Sequence, residues 1–143
     1  MTESELASDL VVHAAQLIRA LRRDLELPAT TRLLSLMEQA GPVGISRLAE
    51  LDRSSQPTMS GAVAHLVEQG WAAKAPNPDD ARASVVTLTD TGRAELARAR
   101  ERIGEHVATI VADDPTLTTE DLATAVAVLR ALVTDTSLQK GSS

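Results

Sequence analysis

Cysteine is absent from this 143-residue chain, which excludes disulfides, thiolate metal sites and cysteine-based redox sensing. Phenylalanine and tyrosine are absent too, and Trp71 is the sole aromatic residue. A core must therefore be aliphatic, and a hydrophobic content of 43% supplies enough leucine, valine and alanine to build one. No apolar run approaches the roughly 18 residues that a membrane span needs. The opening MTESELASDL is polar and acidic, unlike a secretory signal. The expectation is a cytoplasmic chain with no membrane partner. Histidine occurs three times, at 13, 65 and 106, on separate segments without metal-ligand spacing. There is no glycine-rich phosphate loop, and Ser54-Ser55 has no base nearby in sequence. No catalytic residue, metal or cofactor is indicated.

What is present concentrates between Gly44 and Thr89. Two short helical patterns are split by a polar turn at Asp52–Ser55. The spacing predicts a first helix over Ser46–Asp52, with Ser46 as N-cap and Leu48, Ala49 and Leu51 apolar. In the second, Ser54 or Ser55 offers the cap and Pro57 falls in the first turn, where its missing N–H costs little. Met59, Val63, Leu66 and Val67 then recur at helical spacing and are expected to face a core. Gly70 supplies the stop. Trp71–Ala75 and Ser84–Leu88 flank a tip dense in proline, asparagine and aspartate, so a hairpin is expected there. Arg82 lies near that tip, where Asp80 is expected to hold it. Helix, turn, helix and hairpin in this order read as a helix-turn-helix with a β-wing.

The second helix carries small or medium polar residues on its outward side. A helix fits the DNA major groove, and its N-terminal residues read bases there. An arginine near a hairpin tip suits a narrow minor groove. The candidate DNA-binding residues are Arg53, Ser54, Ser55, Gln56, Thr58, Ser60, Gly61, His65, Lys74 and Arg82. The competing readings are a solvated helix face and an Asp–Arg pair that merely stiffens a turn.

The chain resembles the MarR (multiple antibiotic resistance regulator) family of transcriptional regulators. The likeness rests on Leu48-Ala49, on Ser55-Gln56-Pro57-Thr58-Met59-Ser60, on Leu66 with Gly70-Trp71, on Asp80-x-Arg82, and on Leu88-Thr89-Asp90-x-Gly92. The resemblance implies a mainly α fold with a small β-wing, a winged helix-turn-helix carried between N- and C-terminal dimerisation helices. It also implies a homodimer bound to double-stranded DNA at a pseudo-palindromic operator, more often a repressor than an activator, controlled by small aromatic acids or other amphipathic molecules. The family often has arginine where this chain has Gly61, and two basic residues where it has Lys74-Ala75.

The flanks fit that plan. One MarR-like unit is expected over 1–143, with the winged part at 28–90 and dimerisation helices at 5–27 and 91–136. From Glu5 to Leu25, Leu6, Leu10, Ala14, Leu17, Leu21 and Leu25 recur at helical steps, and Val11 and Ile18 widen the stripe. A second helix follows over Thr30–Gln39. Val43-Gly44-Ile45 could add a third strand to the wing. After the wing, Thr89 or Asp90 is expected to cap a helix running to about Ala112. A last helix begins at Thr118 or Thr119, and residues 137–143 read as a loose tail. Among these segments, His13, Gln16 and Arg32 are candidate polar groups of an effector pocket, with the ligand-binding residues otherwise open.

Charge sets the open question. The chain carries −6 overall, and residues 41–93 carry 5 basic and 6 acidic groups. A head so poor in cations admits a second reading, a winged-helix protein-interaction module that has lost strong DNA binding, because phosphate neutralisation supplies most non-specific affinity.

Overall fold

The computed structural model describes the backbone of residues 1–140 and the side chains of residues 1–136. The chain forms two compact units, Met1–Ile103 and Gly104–Ser143.

In the first unit, α1 (Glu3–Asp24) starts two residues before the expected position. Thr2 accepts the Glu5 N–H at 3.1 Å, and the Glu5 carboxylate accepts the Thr2 N–H at 2.6 Å. That reciprocal cap fixes a helix start in a stretch expected to be loose. The helix ends before Glu26, whose φ of 50° lies in the left-handed region, and Pro28 precedes α2 (Ala29–Ala40).

The next helix, α3 (Ile45–Asp52), is capped by Gly44 with no side-chain bond, so Ser46 is not its N-cap but a residue of its first turn. In α4 (Gln56–Glu68), Ser55 is the cap: its hydroxyl accepts the Thr58 N–H, and Pro57 sits in the first turn. Met59, Val63 and Leu66 of α4 are buried with Leu34, Met37 and Leu48 in one aliphatic core. Val67 departs from the expected stripe and is 38% exposed.

The wing is a two-stranded antiparallel sheet of β1 (Ala72–Asn77) and β2 (Asp80–Leu88), longer on both sides of the tip than expected. Val86 and Leu88 point into the core. The segment at Val43 forms a single bridge to Val86, with N···O distances of 3.2 and 2.7 Å, rather than a third strand.

The joint between wing and α5 (Asp90–Asp113) explains the Leu88-Thr89-Asp90-x-Gly92 segment. The Thr89 hydroxyl donates to the Gly70 carbonyl at 2.5 Å and accepts the Gly92 N–H at 3.0 Å. The Thr89 N–H donates to the Trp71 carbonyl at 3.1 Å. A Cβ on Gly92 would sit 2.0 Å from that same Trp71 oxygen. Only glycine lets the first turn of α5 lie so close to the chain leaving α4. Farther along α5, Arg102 donates to the Leu25 carbonyl at 2.7 Å and satisfies the end of α1.

In the second unit, Thr118 and Asp121 exchange side-chain-to-backbone bonds of 2.9 and 3.1 Å at the start of α6 (Thr119–Lys140). Before it, hydrogen bonds from the Thr116 hydroxyl and N–H hold the Asp114 carboxyl below its ordinary pKa. The helix continues through Lys140, past the point where a loose tail was expected, and residues 141–143 lie outside the described residues.

Candidate nucleic-acid interface

The apolar anchors of α4 fix which of its sides faces outward. With Met59, Val63 and Leu66 buried, Gln56, Thr58, Gly61, Ala64 and His65 are exposed and Ser60 is half-buried. Gly61 has a helical backbone, and a Cβ built on it would meet nothing within 4 Å. Its glycine is therefore not demanded by the fold; it leaves the helix surface flat where another molecule can approach. The Ser55 hydroxyl donates to the Thr58 hydroxyl at 2.8 Å while accepting the Thr58 N–H. The Thr58 hydroxyl thus keeps its own hydrogen for an outside acceptor.

Ser54 is corrected by the structure. Its Oγ is buried and has no hydrogen-bond partner among the described residues, so it cannot serve as an exposed contact. Arg53 takes a left-handed conformation, φ 57°, at the end of α3.

The wing displays Arg82 differently from expectation. Pro76 pairs with Ser84 and Asn77 with Asp80, so Ala81, Arg82 and Ala83 bulge from β2 with no partners on β1. A bulge of this kind re-aims a side chain away from the regular ladder. The Asp80 carboxylate accepts the backbone N–H of Arg82 at 3.0 Å, not its guanidinium. Asn77 accepts the Asp79 N–H at 2.9 Å and tightens the tip. The acid stiffens the hairpin and leaves the guanidinium available.

Ion pairing sorts the five cations of residues 41–93. Arg47 is engaged by Glu50 at 3.2 Å and Arg93 by Asp90 at 3.1 Å. Arg53, Lys74 and Arg82 have no ion pair among the described residues, and all three are exposed. Both pairs are three residues apart on a helix, so local spacing carries part of that division, whereas the pairing of Asp52 with the distant Arg32 does not follow from it.

The same unit holds a cavity of about 430 Å³ beside α1, α2, the end of α3 and the start of α5. Arg32 lines it, whereas His13 and Gln16 do not. His13 is exposed on α1, its Nδ1 2.7 Å from the Asp9 carbonyl. Among the described residues there is no group of three or more His, Asp or Glu side chains able to hold a metal, and no helix long and apolar enough to cross a membrane.

Known proteins place this arrangement in a class. The MarR family model matches residues 28–84. An HTH-type transcriptional regulator of Mycobacterium tuberculosis (strain CDC 1551 / Oshkosh) is 31% identical over 118 residues, covering 76% of this chain and 82% of that protein. In fold, a transcriptional regulator of Thermotoga maritima superposes with a TM-score of 0.71 at 21% identity, covering 99% of this chain and 100% of its own. A mutant MarR from E. coli, complexed with operator DNA, superposes with a TM-score of 0.56 at 21% identity, covering 90% and 91% of the two chains. The fold is that of a winged helix-turn-helix protein, and the relative of 31% identity is a transcriptional regulator. The chain belongs to the MarR family.

Proposed function

We propose that this chain is a cytoplasmic, homodimeric, sequence-specific DNA-binding repressor that a small-molecule effector releases from its operator. The observation that carries the DNA reading is the outward face of α4, flat at Gly61 and polar at Gln56, Thr58 and His65, in a unit whose wing shows Arg82 on a bulge. α4 enters a major groove, Arg82 reaches the flanking minor groove, and Arg53 and Lys74 meet phosphates. The solved neighbour bound to operator DNA supports this use of the fold.

Dimerisation is supported by apolar residues left exposed at both ends. On α1, Val11 is 64% and Ile18 48% exposed. On α6, Val126, Leu129 and Leu132 are exposed along a helix with no buried residue among those described. Association of these helices between two subunits covers that surface. A two-fold dimer then presents two copies of α4 at roughly 34 Å, one turn of DNA, to a pseudo-palindromic site. Linking two cation-poor heads compensates for the weakness of each.

The effector is assigned to the cavity beside Arg32. A ligand shifts the equilibrium only through different affinity for the DNA-competent and released arrangements. The test is fluorescence anisotropy on DNA taken from the chain's own upstream region. Three unpaired cations per head, or six per dimer, predict that log affinity falls with log salt with a slope of about −5. Saturable binding with that slope supports the reading. No binding at low salt by a folded dimer refutes it and favours a protein-interaction module.

A further inference from the structure

The reading helix is almost bare of charge. Over Gln56–Glu68, α4 holds no lysine or arginine, and its ionisable side chains are His65 and Glu68 alone. With a neutral imidazole, the helix assigned to a groove of a polyanion carries a net negative charge. His65 lies seven residues after Thr58 and four after Gly61, which puts the three on one outward side, and all are exposed. Helical side chains lean toward the N-terminus over the preceding turn. The position over which His65 leans is Gly61, where a Cβ would meet nothing within 4 Å. The ring nitrogens make no hydrogen bond or ion pair among the described residues. Both are free for another molecule.

The fold offers an imidazolium little counter-charge. On α4 the nearest acid in sequence is Glu68, exposed and not paired with His65. Against α4 pack α3, with Arg47, Glu50 and Asp52, and β1, with Lys74. Arg47 and Glu50 engage each other, and Asp52 engages Arg32. The unengaged charges there, Lys74 and Arg53 in the turn, are positive. α2, β2 and α5 meet α4 through the aliphatic core, on the side away from His65.

This rests on the DNA reading proposed above: we infer that His65 is a DNA contact made by protonation. Each head takes up a proton from solvent as α4 docks, and a backbone phosphate holds the imidazolium so formed. A nearby anion favours the charged ring, and only that form donates from both nitrogens. The N-terminal residues of a recognition helix read bases, while its C-terminal end reaches the backbone, and His65 lies in the last turn of α4. Histidine changes charge between pH 5 and 8. Because the DNA-bound state binds more protons than the free state, affinity falls as pH rises, by up to about tenfold per pH unit for each head.

Fluorescence anisotropy at pH 6 and pH 8, with a labelled duplex from the chain's own upstream region, tests this, since DNA phosphates and bases do not titrate between those values. The unaltered chain should bind about tenfold or more tightly at pH 6, with a salt slope steeper by about 1 for each head. His65→Gln should match it at pH 8 and lose the gain at pH 6. His65→Arg should bind tightly at both. Circular dichroism confirms the fold of each variant. Equal affinity of the unaltered chain at the two pH values overturns the inference. So does a gain at pH 6 that survives in folded His65→Gln, which would assign the proton elsewhere, as to His13 or His106. A pH-dependent affinity with an unchanged salt slope overturns the phosphate contact. Absence of binding at both pH values sinks the DNA reading and this inference with it, whereas binding indifferent to pH sinks the inference alone.

Discussion

Two glycines, both in helices, should respond to alanine in opposite directions. At Gly92 the new methyl group would lie 2.0 Å from the Trp71 oxygen and 2.9 Å from its carbonyl carbon. The contact is with backbone, so no side chain can swing aside. Trp71 cannot retreat freely, because its carbonyl accepts the Thr89 N–H, and Thr89 in turn holds Gly70. Overpacking of this kind costs about 1–3 kcal/mol, and a weakened hydrogen bond adds about 1 kcal/mol. Alanine recovers about 1 kcal/mol of helix propensity. The net for Gly92→Ala is a loss of about 1–3 kcal/mol, or roughly 3–15 °C in Tm for a chain of this length. At Gly61 the same methyl group meets nothing within 4 Å. Gly61→Ala should stabilise by about 1 kcal/mol, raising Tm by roughly 3–5 °C. Thermal unfolding followed by circular dichroism at one fixed protomer concentration measures both, since the proposed dimer would make Tm concentration-dependent. A Gly92→Ala chain as stable as the parent would refute the account of the joint between wing and α5.

The remaining predictions concern binding and assembly. Arg82→Ala should weaken operator binding by about 1–3 kcal/mol while leaving Tm nearly unchanged, because the guanidinium makes no ion pair among the described residues. In anisotropy titrations, an unaltered affinity would remove Arg82 from the interface. Gly61→Arg places a cation on the open face of α4 and should tighten non-specific DNA binding, steepening the salt slope by about 1 for each phosphate gained; weaker binding at every salt concentration would show instead that this face must stay flat. Leu129→Glu puts a charge into the exposed apolar face of α6 and should shift sedimentation from dimer toward monomer at micromolar concentration. A dimer that persists unchanged would place the subunit contact elsewhere.

Helix positions were legible in the sequence because their period is written in the apolar residues. The stripes of α1, α2 and α4 fall where leucine, methionine and valine recur, and the start of the second helix of the helix-turn-helix was readable from Ser54 or Ser55 as a cap with Pro57 in the first turn. The errors lie where a backbone contact decides. Gly44, not Ser46, caps α3, since the chain enters that helix from the bridge at Val43. The wing is longer than its apolar alternation, because bulging out Ala81, Arg82 and Ala83 lets pairing resume at Asp80. Ser54 looked like an exposed polar contact beside Ser55, yet neighbouring residues in a tight turn can face opposite ways.

The reading head shows most clearly what a residue list leaves out. Counted along the chain, the five cations of residues 41–93 are equivalent, and their sum is cancelled by the acids around them. In the folded unit, acids engage Arg47 and Arg93, and the acid nearest Arg82 is occupied by a backbone N–H. Asp52, adjacent to Arg53, is turned inward onto Arg32. The carboxylates that make the segment net acidic are thus partly consumed inside the fold, while Arg53, Lys74 and Arg82 stay exposed. Net charge governs long-range attraction to DNA, whereas the number of free cations at the surface governs counterion release. An acidic chain with this head should associate slowly at low salt for its affinity, yet still lose affinity steeply as salt rises. Stopped-flow association over a salt series separates the two effects, and an association rate as strongly salt-dependent as the equilibrium constant would contradict the division.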